Sequence, residues 1–213
     1  MEKIAIVGSG GFAREILTLI NDINRQAPKY EFVGFVGVEK GQTIHGCPVI
    51  GNDDEINKTT EPISLVIAVG EPQLKEKIRS KYNNSLVSFP TLVHPSVIIG
   101  DRDSVKIGEG CIICAGCILT TDITLYNLVT LNIQCTVGHD TIINDYASFM
   151  PSVNISGEVN VGKGVYVGTG AKIINQLEIG KNTIVGAGAV VAKSLPANCT
   201  AVGVPAKPIK CNK

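Results

Sequence analysis

A six-residue apolar ladder constrains this chain more than any other feature. Starting at Ile107 and stepping by six, the sequence reads Ile107, Ile113, Leu119, Leu125, Leu131, Val137, Ile143, Phe149, Ile155, Val161, Val167, Ile173, Ile179, Val185 and Val191. All fifteen positions are apolar in a chain that is 44% hydrophobic. Chance produces such a run about once in 10^5 for a given register. An α-helix repeats at about 3.6 residues and a strand at 2, so neither gives this period. A solenoid whose stacked coils bury the ladder does.

Two further columns follow the same rhythm. One residue after the ladder, glycine recurs at Gly108, Gly138, Gly162, Gly168, Gly180 and Gly186, as a tight corner with unusual backbone angles would need. Two residues before it, the side chains are small or β-branched, and Cys111, Cys117 and Cys135 fall in that column. The run Cys111, Cys114, Cys117 taken alone suggests an iron–sulfur or zinc site. The repeat explains the spacing better, since free cysteine packs as a compact hydrophobe, and no metal is expected.

The segment Ile179 to Val191, reading IGKNTIVGAGAVV, resembles the hexapeptide-repeat acyltransferases. That resemblance implies that each hexad is a short strand and a corner, that three hexads make one coil of a left-handed parallel β-helix, and that three chains pack as a homotrimer. Fifteen hexads then give five coils.

Ahead of the repeat, Lys3 to Val7 reads as a buried strand. Gly8, Ser9, Gly10 and Gly11 form a glycine turn, and an apolar helical pattern runs to Ile20. Strands are expected at Phe32–Val36 and near Leu65–Val69, and a helix from Glu71 to Tyr82. Such a turn lets a phosphate approach the backbone N–H groups at a helix N-terminus. The fingerprint GxGxx(G/A) is met by Gly8, Gly10 and Ala13, but the domain has half the size of a dinucleotide fold and only Glu39 as an acidic ribose partner. A diphosphate site at Gly8, Ser9, Gly10, Gly11 and Gly70 is expected in preference to an NAD site, with a turn that serves only packing as the alternative. The fold class is therefore an α/β half-Rossmann domain followed by a left-handed parallel β-helix. The divisions are residues 1–90, 91–192 and a tail, 193–213.

Together with the linker Leu92-Val93-His94-Pro95-Ser96, these parts resemble the sialic acid O-acetyltransferase-like family, which includes N-acetyltransferases of nucleotide-linked amino sugars such as the bacillosamine precursor. The resemblance implies that the N-terminal domain holds the nucleotide sugar and the β-helix holds acetyl-coenzyme A, for surface glycan biosynthesis. It leaves open O-acetylation of a sugar or sialic acid, and a non-catalytic β-helix scaffold. In bacillosamine-type relatives an acidic pair follows the second strand. Here the chain reads Val36-Gly37-Val38-Glu39, which argues against UDP and leaves dTDP and GDP open, so the nucleotide is not fixed among UDP, dTDP and GDP.

The chain carries three histidines, His45, His94 and His139. His45 reads as a surface turn residue and His94 as structural. His139 lies two residues after the inward Val137, at a corner whose side chains face out. Imidazole suits proton transfer near neutrality, and Asp140 beside it would fix its tautomer. Gly138-His139-Asp140 matches the family motif of His followed by an acid. By the same resemblance, Asn132 lies beside the base and the substrate amine, and Ser148 stands where relatives carry a histidine that contacts the donor. Gly157, Thr169 and Ala187 offer small residues for a pantetheine arm. After Glu178 the chain has no acidic residue, while Lys181, Lys193, Lys207, Lys210 and Lys213 accumulate for its phosphates. The tail Val202-Gly203-Val204-Pro205-Ala206-Lys207 is similar to the family's closing motif.

Lysine plus arginine and aspartate plus glutamate balance at 19 each, which argues against nucleic-acid or membrane-surface binding. With no apolar span or leader pattern, a cytoplasmic location is expected.

Overall fold

The six-residue ladder forms the interior of a parallel β-helix in the computed structural model, which describes residues 1–37 and 41–211. Ile107, in the first coil, is half-buried, and the other fourteen ladder residues are buried. At about 1.5–3 kcal/mol for each large aliphatic or aromatic side chain, this column is the main source of cohesion along the helix.

Two compact units make up the chain, Met1–Pro95 and Ser96–Lys213. In the second, two-residue strands alternate with corners and stack into three flat faces. Face I carries Ile112–Ile113, Thr130–Leu131, Ser148–Phe149, Tyr166–Val167 and Ile184–Val185. Face II carries Ile98–Ile99, Ile118–Leu119, Thr136–Val137, Asn154–Ile155, Lys172–Ile173 and Val190–Val191. Face III carries Lys106–Ile107, Thr124–Leu125, Ile142–Ile143, Asn160–Val161 and Glu178–Ile179. Each strand pairs in parallel with the one a full coil later, as Ile112 with Thr130 and Thr130 with Ser148. The register departs from this only at the ends, where Leu119 pairs with Ile99 and Val185 with Ala201. Residues 193–211 extend the sheets of the solenoid rather than leaving it as a tail. Cys199–Val202 adds to face I, and Lys207–Cys211 folds back antiparallel on it.

The corners correct the sequence reading of the glycines. The left-handed residue stands three positions past the ladder, at 110, 116, 122 and so on to 188 in unbroken steps of six, with φ between 53° and 72°. Asp122, Leu128, Gln134, Asp140, Tyr146, Ser152, Glu158, Gln176 and Asn182 all adopt it. For a non-glycine residue this conformation costs about 1–2 kcal/mol. The corner N–H then donates to the preceding coil, as from Leu128 to Glu109 O at 2.7 Å and from Glu158 to His139 O at 2.7 Å. Gly138, Gly162, Gly168 and Gly180 serve another purpose. A Cβ at any of them would lie 2.3–2.6 Å from a backbone nitrogen of the next coil, so they allow the coils to stack closely.

The N-terminal unit is a sheet with helices. Its elements are β1 (Glu2–Val7), α1 (Gly11–Gln26), β2 (Tyr30–Val36), β3 (Thr43–Ile44), β4 (Cys47–Gly51), α2 (Asp53–Ile56), β5 (Ile63–Ile67), α3 (Pro72–Arg79) and β6 (Val87–Ser88). The order across the sheet is β3-β4-β2-β1-β5-β6. Ile4 to Val7 of β1 are buried between β2 and β5, which both pair with it in parallel. Helix α1 buries Ala13, Ile16, Leu19 and Ile20, an apolar stripe at helical spacing. It runs past the expected end at Ile20 to Gln26, where the Asn24 side chain accepts from Lys29 N and Tyr30 N at 3.0 and 2.9 Å. Because the chain crosses from β1 to β2 on one side and returns to β5 on the other, the C-terminal end of β1 is a topological switch point, the usual ligand crevice of such sheets.

Candidate active site

His139 and Asp140 occupy the corner between faces II and III. The left-handed turn at Asp140, φ 57°, folds its carboxylate back onto the preceding ring, and Asp140 Oδ2 lies 2.8 Å from His139 Nδ1. Both side chains are more than half exposed, 55% and 59%. An ionised carboxylate only accepts, so the imidazole holds its proton on Nδ1 and keeps the Nε2 lone pair available.

Gly157 lies one coil below the ring. A Cβ there would stand 2.5 Å from His139 Nε2 and 2.6 Å from Cε1, so only hydrogen leaves room for the ring. Gly138 and Gly157 are themselves in close approach, since a Cβ on Gly138 would meet Gly157 N at 2.5 Å. The pair makes a bare strip beside the base. Below Asp140 the same corner column continues with Glu158 and Gln176, whose amide donates to Glu158 Oε2 at 3.1 Å.

The other expected site residues of the β-helix lie elsewhere on the prism. Asn132 stands at the corner between faces I and II, 6% exposed, its Oδ1 accepting from Ile133 N at 2.7 Å. Within one chain it makes no hydrogen bond to His139 or Asp140 among the described residues. Thr169 and Ala187 are exposed on that same corner, stacked by a bond from Gly188 N to Thr169 O at 2.8 Å. Lys193 follows Val191 at the corner between faces II and III, and Lys207 opens the final strand, both exposed. Between the two corners, face II presents a polar ladder. Asn154 donates to Thr136 Oγ1 at 2.9 Å, and Lys172 donates to Asn154 Oδ1 and to Ser152 O.

Ser148 corrects the expectation of a donor contact. It is fully buried, with its hydroxyl 3.5 Å from Tyr146 O, so it presents no surface to a coenzyme. The cysteine run is buried as well. Cys111 Sγ points to Tyr126 O at 3.0 Å and Cys117 Sγ to Asn132 O at 3.1 Å. Cys117 and Cys135 stack one coil apart, and the hydrogen bond between them, then burial, pushes the Cys135 thiol upward. Among the described residues no group of three or more His, Cys, Asp or Glu could hold a metal, and no helix is long and apolar enough to cross a membrane.

The N-terminal unit holds a cleft of about 650 Å³ at the switch point. Gly8, with φ 117°, donates to Val36 O at 3.4 Å and lies against Ala68 O, where a Cβ would sit 3.2 Å away. Gly10 is the N-cap of α1 without a side-chain cap, and the first turn carries no acidic residue. No side chain caps the first-turn N–H groups of α1, of which Ala13 N donates to Gly10 O at 3.2 Å. Gly8 and Ser9 line the cleft, Gly10 and Gly11 are exposed beside it in sequence, and Gly70 is half-buried in the link from β5 to α3. Glu39 and Lys213 lie outside the described residues.

Sequence reasoning missed another part of this cleft's lining. Asn52, Asp53 and Lys81 line it, and the Asp53 carboxylate accepts from Lys81 Nζ at 2.6 Å and from Tyr82 Oη at 2.5 Å. Burial, then the Asp53 contact, pushes the Tyr82 pKa up. The Asn52-to-Glu55 capping box was the one local signal. His45 is the exposed left-handed residue of the β3–β4 turn. His94 Nε2 lies 3.2 Å from Asp22 Oδ2.

Residues 3–82 match the family model described as the PglD N-terminal domain, and residues 158–193 match that of the bacterial transferase hexapeptide (six repeats). A curated relative from Escherichia coli O157:H7, a GDP-perosamine N-acetyltransferase, is 28% identical over 81% of this chain and 78% of its own. The structure of PerB from Caulobacter crescentus in complex with CoA and GDP-perosamine superposes with a TM-score of 0.87 at 30% identity, over 99% of this chain and 98% of that one. The acetyltransferase domain of PglB from Neisseria gonorrhoeae in complex with acetyl coenzyme A gives a TM-score of 0.88 at 28% identity, over 98% and 99%.

Proposed function

The chain belongs to the nucleotide-sugar N-acetyltransferase family of hexapeptide-repeat acyltransferases, and on that premise we propose that it acetylates the 4-amino group of a nucleotide-linked 4-amino-4,6-dideoxy sugar, with His139 as general base. It is an acetyl-coenzyme A-dependent acyltransferase that acts on a nucleotide amino sugar. One observation carries the choice of base: the imidazole is tethered at Nδ1 by Asp140, and its Nε2 is open above Gly157.

The chemistry follows from that tether. The neutral amine attacks the thioester carbonyl, a C–N bond forms, and His139 Nε2 takes the amine proton. Collapse of the tetrahedral intermediate breaks the C–S bond, and the same proton passes to the departing thiolate. Asp140 stabilises the imidazolium between these steps, and backbone amides or bound water stabilise the oxyanion. The products are the N-acetylated nucleotide sugar and free coenzyme A.

The two corner columns support a homotrimeric arrangement. His139 and Gly157 sit on one edge of the prism, and Asn132, Thr169 and Ala187 on another. Adjacent copies that bring the second edge of one chain against the first edge of the next would complete a site that neither chain holds alone. Small residues at Thr169 and Ala187 then leave room for the pantetheine arm, and Lys193 and Lys207 meet its phosphates. The N-terminal cleft takes the nucleotide diphosphate at Gly8 to Gly11.

The test is incubation with acetyl-coenzyme A and a panel of nucleotide-linked amino sugars, with the product read by mass. Gain of one acetyl group on the sugar amine of a 4-amino-4,6-dideoxy substrate is expected. Acetylation of a hydroxyl, or of no member of the panel, would overturn the reading.

A further inference from the structure

We infer that Asp53 reads the nucleobase, and that the N-terminal cleft selects a guanine nucleotide over a uracil or thymine one. This rests on the reading of that cleft as the nucleotide site. Three observations carry it, and they concern the part of the cleft lined by Asn52, Asp53 and Lys81.

The first is placement. Gly8, Ser9, Asn52, Asp53 and Lys81 line the same cleft, the first two after β1 and Asn52 and Asp53 after β4, two strands away in the sheet. At about 650 Å³ the cleft lies within the usual range for small-molecule pockets, roughly 300–1,000 Å³. A diphosphate at the uncapped N-terminus of α1 therefore directs the far end of the same ligand toward α2.

The second is the state of the carboxylate. Tyr82 Oη donates to Asp53 Oδ1 and Lys81 Nζ to Oδ2. Lysine has no acceptor, and Tyr82 keeps its proton because burial and the Asp53 charge both oppose ionisation. Both Asp53 oxygens therefore act as acceptors. Each oxygen has one partner from the protein and capacity for another, and the side chain is 27% exposed, so a ligand can reach it.

The third is rigidity. The Tyr82 ring packs edge-on against Phe89 at 5.8 Å, and the Arg79 guanidinium lies 4.2 Å over Phe89 from its centroid. On the backbone side, Asn52 caps α2 through Glu55 N at 3.0 Å, and Glu55 returns a bond to Asn52 N at 2.9 Å. Asp53 is fixed from both directions, as a discriminating group must be.

A carboxylate with two accepting oxygens side by side matches two adjacent N–H donors. The Watson–Crick edge of guanine supplies them at N1 and the 2-amino group. Uracil and thymine offer one N–H between two carbonyl oxygens, which a carboxylate repels. A bidentate pair of this type discriminates by about 1–3 kcal/mol, or roughly 5–150-fold in affinity.

The experiment measures calorimetric affinities of the full-length protein for GDP, IDP, UDP and dTDP, then repeats them with Asp53→Asn. Inosine lacks only the 2-amino group, so the GDP/IDP ratio tests the contact without altering the protein. A GDP preference of tenfold or more over IDP, UDP and dTDP is expected, with the GDP/IDP ratio falling to within threefold of unity in Asp53→Asn. Equal affinity for GDP and IDP in the unaltered protein, a preference for UDP or dTDP, or an unchanged ratio in a variant with native circular dichroism overturns the assignment of Asp53. Should no nucleoside diphosphate bind, the reading of the cleft as a nucleotide site falls with it.

Discussion

In the β-helix, His139 and Gly157 meet because they are one coil apart in a single register, whereas in the N-terminal unit Gly8, Asp53 and Lys81 meet because three separate segments end at one side of a sheet. The β-helix converts a sequence interval into a spatial neighbour, so each site residue is coupled to the residues above and below it at the same corner. The interior ladder is fixed by burial and the corner by its left-handed turn, and the outward side chain between them is left to chemistry. The N-terminal cleft has no such rule. Its walls come from the β1–α1 turn, the start of α2 and the residues after α3, and their alignment depends on the whole sheet.

The sharpest test of this division is His139→Ala. Turnover should fall by roughly 10²–10⁴, while thermal unfolding and nucleotide affinity stay at the level of the unaltered protein, because the side chain is exposed at a corner and holds no coil together. A matching drop in unfolding temperature would show that the corner is structural. Phe149→Ala probes the interior instead. This ring is fully buried in the ladder, so its removal should cost about 3–5 kcal/mol in denaturant unfolding. A loss under about 1 kcal/mol would mean that the coils do not depend on their shared core.

Gly157→Ala separates register coupling from direct cofactor contact. Gly157 has no positive φ, so its backbone accepts alanine, but the new methyl would occupy the space of His139 Nε2. Displacement of the base by about 1 Å can cost on the order of 10²-fold. The expected result is a fall in kcat with KM for acetyl-coenzyme A unchanged. A raised KM at constant kcat would instead make Gly157 a coenzyme contact, as its small size first suggested.

The same contrast explains what the sequence could reveal. The ladder specified the β-helix outright, since burial imposes one residue class every six positions. The outward placement of His139 and Asp140 was legible because a corner position beside an inward Val137 must face out. The left-handed column was hidden, because nine of its members are not glycine and the hydrogen bond to the previous coil, rather than residue type, sustains the turn. The glycines one residue after the ladder were noticed for the wrong reason, their role being close approach between coils. Ser148 was misplaced because family position says nothing of burial. Asp53 was invisible, since its partner Tyr82 stands 29 residues away and no periodicity links them.

The smallest expected effect lies where that invisible wall begins. Asn52 caps α2 in a reciprocal box with Glu55, and Asn52→Ala removes an N-cap contact of about 0.5–2 kcal/mol. The α2 helix is only four residues long, Asp53–Ile56, so the loss falls on the segment that carries Asp53. Stability of the N-terminal unit should drop by about 1 kcal/mol. GDP affinity should fall severalfold through loss of order at Asp53, whereas acetyl-coenzyme A affinity should not change. The β-helix would transmit a comparable defect along its register, but α2 has no register mates through which to spread it. If calorimetry finds both affinities reduced together, the cleft and the coenzyme site are coupled, and the contrast between an irregular unit and a periodic one does not extend to their function.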